Sequence, residues 1–356
     1  MYEFCQQPHC ADGTGPFASL IQGFNGNFYG TTVGGGAKGY CPVSRCGTVF
    51  EITPQGALTT LYSFCAQPNC ADGTSPYAGV VQDAEGNFYG TTISGGTGAY
   101  CPFGVGGCGT VFKLTAQGSL TTIHSFCSQQ NCTDGYYPGR LIQAEDGNFY
   151  GGTSNDGDHG TIFKITPQGV LTTLYTFCVL SNCADGDVLS SLIQANGGNF
   201  YGTTVSGGTS NNGTAFELTS GGQLTTLYNF CPQGGKVCLD GYEPGGLVQD
   251  TNGSLYGETY EGGAAGYGTA FSLSVGLPAF IETQPSAGSI GSSVVILGTN
   301  LTGASSVTFN SVAAAFTVVS STEITATVPS GATTGPVYVT TTSGTLKSNK
   351  NFHVAP

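Results

Sequence analysis

The chain has 356 residues, of which 59 are glycine, 16 proline and 14 cysteine, with no tryptophan and only 8% charged residues. Glycine recurs too often for any long 3.6-residue period, which excludes helical bundles, coiled coils and Rossmann-type folds, and no apolar run of about 18 residues could span a membrane. A formal charge of -13 excludes nucleic acid and anionic membranes as partners and leaves cations, neutral glycans and basic partners open. With 39% hydrophobic residues the chain can still build a core, so an all-β protein remains.

In chain order, the first unit shows four strand-like segments, at 19–22, 27–32, 47–53 and 58–64. They are short, rich in β-branched and aromatic residues, and bounded by turn formers such as Pro54-Gln55-Gly56. The unit then repeats. Gly-Asn-Phe-Tyr-Gly stands at 26–30, 86–90, 147–151 and 198–202, and Gly253-Ser254-Leu255-Tyr256-Gly257 is a fifth version. A Gly-Thr-x-Phe string ends at Phe50, Phe112, Phe163, Phe216 and Phe271. Phe-Cys pairs recur at spacings of 60, 62, 51 and 53, and the loops between second and third segments hold 14, 16, 6 and 8 residues. Without those loops the period is 46, 46, 45 and 45, so the unit is constant and one loop varies.

Four short strands in about 45 residues, repeated in series, make the blade of a β-propeller; a β-solenoid is the alternative, with shorter coils. The fifth copy stops after Leu273 without its fourth segment, while Tyr2-Glu3-Phe4-Cys5 matches the end of such a segment. The sequence therefore predicts a five-bladed β-propeller of four-stranded blades over residues 1–275, its N-terminal strand closing the last blade. The Gly-x-(Phe/Leu)-Tyr-Gly-Thr-Thr-x-x-Gly-Gly string followed by Gly-Thr-Val-Phe resembles the tandem GloVer-repeat proteins of bacteria, with Glu258 as a departure in the fifth copy. That resemblance implies a secreted or surface-anchored protein and supplies no activity.

Past Leu277-Pro278 the composition shifts to Ser, Thr, Val and Ala without cysteine. Strand-like segments at 293–298, 306–309, 315–319, 323–328, 336–341 and 351–354 predict an immunoglobulin-like β-sandwich over 276–356. Pro285-Ser286-Ala287-Gly288, the run from Gly291 to Leu301, Val307-Thr308-Phe309-Asn310, the run from Ile324 to Pro329 and the run from Gly335 to Val339 resemble IPT/TIG domains. Some relatives bind DNA, but Lys347 and Lys350 are nearly the only basic residues in this segment, so a spacer, docking or self-assembly module is expected instead.

The cysteines fall into seven close pairs: Cys5/Cys10, Cys41/Cys46, Cys65/Cys70, Cys101/Cys108, Cys127/Cys132, Cys178/Cys183 and Cys231/Cys238. An even count at regular local spacing reads as a disulfide framework in an oxidising compartment, whereas zinc favours C-x2-C spacing and four converging ligands. Export is thus expected although no secretion signal precedes Tyr2, which makes the chain a mature or trimmed form with an added Met1. In an up-and-down blade, the fourth-to-first and second-to-third loops emerge on one face. All seven pairs lie in those loops, so one rigid, disulfide-pinned binding face is predicted.

Asp12, Asp72, Asp134, Asp185 and Asp240 each precede a glycine in the fourth-to-first loops. They form either a turn or a ring of carboxylates at the channel mouth that takes Ca2+; Asp156 and Asp158 are a further acidic loop. No other cofactor is called for. Tyr29, Tyr89, Tyr150, Tyr201 and Tyr256 are expected to pack between blades, while Tyr40, Tyr100 and Tyr267, in the variable loops, are candidate ligand contacts. His9, His124, His159 and His353 lack a nucleophile's context. Asp187, Glu243 and Glu258 are the nonrepeated carboxylates that could serve glycoside hydrolysis. The copies are otherwise nearly interchangeable, so the expectation is a noncatalytic protein binding glycans or surface proteins. A carbohydrate-active enzyme and a subunit of an extracellular filament are the alternatives.

Overall fold

The structure, a computed structural model, describes all residues except 38–45, 103–106, 155–158, 235–237 and 356. Four repeats form antiparallel sheets of four strands in sequence order. Sheet 1 holds β1 (Ile21–Gln22), β2 (Phe28–Thr32), β3 (Thr48–Ile52) and β4 (Leu58–Ser63). Sheet 2 holds β5 (Val81–Gln82), β6 (Phe88–Thr92), β7 (Thr110–Leu114) and β8 (Leu120–Ser125). Sheet 3 holds β9 (Ile142–Gln143), β10 (Phe149–Thr153), β11 (Thr161–Ile165) and β12 (Leu171–Thr176). Sheet 4 holds β13 (Leu189–Gln194), β14 (Phe200–Thr204), β15 (Thr214–Leu218) and β16 (Leu224–Asn229). Sheet 5 has three strands, β17 (Tyr242–Gln249), β18 (Leu255–Glu261) and β19 (Thr269–Leu273). The only helical elements among the described residues are short 3-10 turns, as a glycine-rich chain of period two demands.

Register explains why two strings recur together. Gly30 of β2 pairs with Phe50 of β3, and a Cβ at Gly30 would lie 2.7 Å from the Phe50 ring. The phenylalanine of Gly-Thr-x-Phe thus lies across the glycine of Phe-Tyr-Gly, and neither is useful without the other. Beside it, Thr32 and Thr48 exchange a buried hydroxyl contact at 2.7 Å, repeated at Thr92–Thr110, Thr153–Thr161, Thr204–Thr214 and Thr259–Thr269.

Alternation sends the other residues of the second strand to the next sheet. Tyr29 lies on Phe88 at 4.2 Å between ring centroids, Tyr89 on Phe149 at 4.1 Å and Tyr150 on Phe200 at 4.2 Å. Tyr201 packs in a core with Leu255. Further out, Phe64 meets Phe112, Phe126 meets Phe163, Phe177 meets Phe216 and Phe230 meets Phe271, all edge-on. Two polar ladders follow the same path. The Phe24, Glu145 and Asn196 N–H groups donate to Gln82, Gln194 and Gln249 of the next sheet. The Thr31, Thr91 and Thr203 hydroxyls donate to the Ala78, Gly139 and Gly245 carbonyls.

Closure by the N-terminal strand is not what the structure shows. Tyr2–Cys5 forms no strand, and among the described residues β19 pairs only with β18. Phe4 instead packs edge-on against Phe50 at 5.1 Å, as Phe64 does on Phe112, so the segment caps the first sheet. At the other end, Tyr256 is 42% exposed and Val248 64%, whereas the tyrosines equivalent to Tyr256 in sheets 1 to 4 are buried. The expected packing of Tyr256 between blades therefore fails. Among the described residues, no further repeat sheet stacks on either end of the series.

The C-terminal unit packs two four-stranded sheets around one core. One sheet joins β20 (Glu282–Gln284), β22 (Ser293–Leu297), β25 (Phe316–Val318) and β26 (Glu323–Thr327). The other joins β23 (Ser306–Phe309), β24 (Val312–Ala313), β27 (Val337–Thr341) and β28 (Gly344–Lys347); β21 (Ala287–Ser289) pairs with β29 (His353–Ala355). Val294, Ile296, Val307, Ile324, Val337 and Val339, alternating along their strands, fill the space between. This unit touches both ends of the series: the Phe280 N–H donates to the Thr251 carbonyl at 3.0 Å, and His353 stacks on Phe24 at 4.0 Å. Phe24 has no aromatic counterpart in the other copies, where Ala84, Glu145, Asn196 and Thr251 stand.

Candidate functional site

Six of the expected cysteine pairs are formed: Cys5–Cys10, Cys65–Cys70, Cys101–Cys108, Cys127–Cys132, Cys178–Cys183 and Cys231–Cys238. The seventh falls on Cys41, outside the described residues, and so do Tyr40, Asp156 and Asp158. His159, Cys178 and Cys183 cluster closely enough to suggest a metal, but both sulfurs are consumed by their disulfide.

The loops bearing these bridges are bonded to each other. The Gly36, Gly96, Gly208 and Gly263 N–H groups, in the second-to-third loops, donate to the Cys10, Cys70, Cys183 and Cys238 carbonyls. Neighbouring sheets are joined as well, with Ser75 N–H donating to Cys46 and Tyr137 N–H to Cys108. The cysteine loops are tight: Cys65, Asn69 and Cys70 all have positive φ, between 52° and 58°. Asn69 and its equivalents Asn131 and Asn182 suit that conformation, and His9 fills the same place in the first copy. His9 is thus a turn residue.

The five aspartates do not ring a channel. Asp12, Asp72 and Asp134 are wholly inaccessible and Asp185 is 1% exposed. Each closes its own loop. Asp72 accepts from the Tyr62 hydroxyl at 2.8 Å and the Ala66 and Gln67 N–H groups at 2.9 and 3.2 Å. Asp12 does so with Tyr2, Gln6 and Gln7, and Asp185 with Tyr175, Val179 and Leu180. Asp134 contacts His124 Nε2 at 3.1 Å and accepts from Ser128 and Gln129, and Asp240 accepts from Tyr228 and Cys231. Hydrogens therefore point at the oxygens a calcium ion would need, and the arrangement lends the calcium expectation no support. It also explains His124, which stands where the other copies have tyrosine.

Burial alone would raise the carboxyl of Asp12, yet the hydrogen bonds from Tyr2, Gln6 and Gln7 outweigh it and hold the group below its ordinary value of 3.8. Asp134 behaves likewise through His124, Ser128 and Gln129. A depressed folded-state value means that the stabilisation is complete above the ordinary carboxylate range and disappears as pH falls through the folded value. We expect the melting temperature to hold from neutrality to about pH 4.5 and to fall below about pH 4, the fall being smaller in Asp12→Asn and Asp134→Asn. Thermal unfolding followed by circular dichroism checks this, and equal acid sensitivity in all three proteins would refute it.

The nonrepeated carboxylates are not brought together by these contacts. Asp187 meets His159 at 3.1 Å, Glu243 has φ 54° with its N–H bonded to Asn212, and Glu258 accepts from its own sheet's Gly246. Of the candidate ligand contacts, Tyr100 is 52% and Tyr267 92% exposed. The sequence reading missed Phe17 and Tyr77, which stack at 5.5 Å with only 13° between planes while 71% and 49% exposed. A signal was present: Asp12 to Leu20 and Asp72 to Val80 span one residue more than the matching stretches of the later copies, and that residue lets an aromatic follow the proline.

Comparison with known proteins supports the repeat reading. No curated protein matches the chain. Solved structures that align with it include a luciferin-regenerating enzyme (TM-score 0.42, 11% identity, 97% of this chain and 95% of that one). Others are a gluconolactonase from Xanthomonas campestris (0.37, 12%, 95% and 95%) and a glucose dehydrogenase (0.43, 12%, 74% and 82%). These aligned structures are enzymes, so the expectation of a noncatalytic protein is withdrawn; likeness at this level assigns no reaction here. Among the described residues no helix is long and apolar enough to cross a membrane, and the disulfides fit an extracellular protein. The Gloeobacter/Verrucomicrobia repeat matches residues 1–184 and 98–306 and the IPT/TIG domain 278–354, so the chain belongs to the Gloeobacter/Verrucomicrobia repeat family and ends in an IPT/TIG domain.

Proposed function

We propose that this protein is a secreted or surface-held glycan-binding protein, a propeller-like series of five blades with an immunoglobulin-like module. The observation that carries the reading is the exposed Phe17–Tyr77 stack beside the disulfide-pinned loops. Two nearly parallel, stacked rings spanning two sheets offer an exposed aromatic surface against which the apolar face of a sugar can pack, and cross-linked loops around it lower the entropy lost on binding. Tyr100, whose N–H donates to the Cys127 carbonyl at 3.0 Å, is a third aromatic held in place.

A glycan array with the intact protein tests this. Specific binding that falls at least about tenfold in both Phe17→Ala and Tyr77→Ala is the expected result, a loss of roughly 1.4 kcal/mol or more. Both side chains are exposed, so the variants should fold. Binding unchanged in both variants would remove the platform from the reading, and release of reducing ends during incubation would replace binding by hydrolysis.

A further inference from the structure

The uncovered face of sheet 5 is where the repeat is most altered. Tyr256, Glu258 and Tyr260 alternate with Leu255, Gly257 and Thr259 along β18, so the first three share the outer face, about 7 Å apart. Tyr256 and Tyr260 are 42% and 76% exposed, and Glu258 is exposed between them. In sheets 1, 2 and 4 the place of Glu258 is held by Thr31, Thr91 and Thr203, whose hydroxyls donate to the following sheet. A carboxylate cannot donate there. Stacking the leading face of a second copy on this surface would bury Glu258 against Ala18, Leu20 and Phe28, none of them a cation, at the full desolvation cost of an unpaired charge.

The molecule itself shows what does fit such a tyrosine. Strand pairing sets a charged residue beside each of the first four: Glu51 by Tyr29, Lys113 by Tyr89, Lys164 by Tyr150 and Glu217 by Tyr201. In two of these a lysine ammonium lies 5.6 Å from the ring centroid, and in one it also pairs with a carboxylate, Lys164 with Asp146 at 2.8 Å. The fifth tyrosine has Ser272 beside it instead. Its ring and the neighbouring carboxylate are present and the ammonium is missing. Glu258 Oε1 accepts the Gly246 N–H at 3.0 Å, and among the described residues nothing engages Oε2.

The geometry points to a second binding surface, the Tyr256–Glu258–Tyr260 face of sheet 5, which takes a lysine side chain from a basic segment of a partner protein. The ammonium pairs with Glu258 and lies against the flanking rings, and the net charge of -13 draws such a segment in. This goes beyond the glycan reading, since it uses another sheet and another ligand class.

The test titrates the whole protein with a capped Gly-Lys-Gly-Lys-Gly peptide at low salt, followed by calorimetry. Affinity should fall about tenfold in Glu258→Gln and in Tyr256→Ala, and the Nε-acetylated peptide should not bind. Glu282→Gln, an exposed carboxylate of the C-terminal unit, controls for overall charge and should bind like the parent. Equal effects of Glu258→Gln and Glu282→Gln, equal binding of the acetylated peptide, or displacement by a neutral oligosaccharide that ignores Glu258→Gln would each overturn the proposal. Phe17→Ala should leave peptide binding intact, which separates failure here from failure of the loop-face reading.

Discussion

Asp72→Ala is expected to destabilise the repeat series by about 3 kcal/mol or more, because it removes a wholly buried carboxylate and leaves the Ala66 and Gln67 N–H groups and the Tyr62 hydroxyl without their acceptor. The wholly buried carboxylate ties the start of the Cys65–Cys70 loop and Tyr62 of β4 to the segment that follows the loop. The disulfide closes a ring of a few residues and cannot substitute for it, since such short closures restrain the unfolded chain only modestly. Calorimetry should show a melting temperature lower by about 6 to 12 °C. Asp72→Asn, which keeps one acceptor oxygen, should lose less; equal losses in the two variants would mean that shape rather than hydrogen bonding holds the loop.

Gly73→Ala should be at least as damaging. Gly73 has φ +99°, and a Cβ there would come 2.4 Å from Thr92 Oγ1 and 2.8 Å from Thr110 Oγ1. Both hydroxyls belong to the buried pair at 2.8 Å that closes the ends of β6 and β7, so they have no free direction in which to yield. Backbone strain of about 1–3 kcal/mol adds to that displacement, for an expected loss above about 3 kcal/mol. Gly26→Ala is the comparison: its φ is +81° but its Cβ would meet nothing within 4 Å, so only the strain remains. Chemical denaturation of the two variants separates the contributions, and equal losses would show that the threonine contact carries no weight.

The Asp-Gly pair thus has two separate reasons to recur. Sequence reasoning recognised the turn and could not see either partner, because Tyr62 lies ten residues upstream of Asp72 and Thr92 lies in another strand. The repeat and its period were legible, since each rests on residues within one copy. Ring closure was not. Tyr2-Glu3-Phe4-Cys5 does resemble the end of a fourth strand, and Phe4 does make the contact that resemblance implies, on Phe50. That contact is local, though, and says nothing about whether β19 gains a neighbour. The substitution of Thr by Glu258 was visible in the sequence as a departure, but its meaning depends on an uncovered face that only the three-dimensional arrangement reveals.

An open series also has a mechanical consequence. Each sheet gains its core from the sheet before and the sheet after, so unfolding can begin at either end and advance one interface at a time, as in linear repeat arrays. The described disulfides each lie within one loop, at sequence separations of 5 or 7, and none ties one sheet to a distant one. Under tension applied between the termini the chain would lengthen in steps, with the Phe24–His353 stack as the first link to part and the bridged loops surviving as small knots along the extended strand.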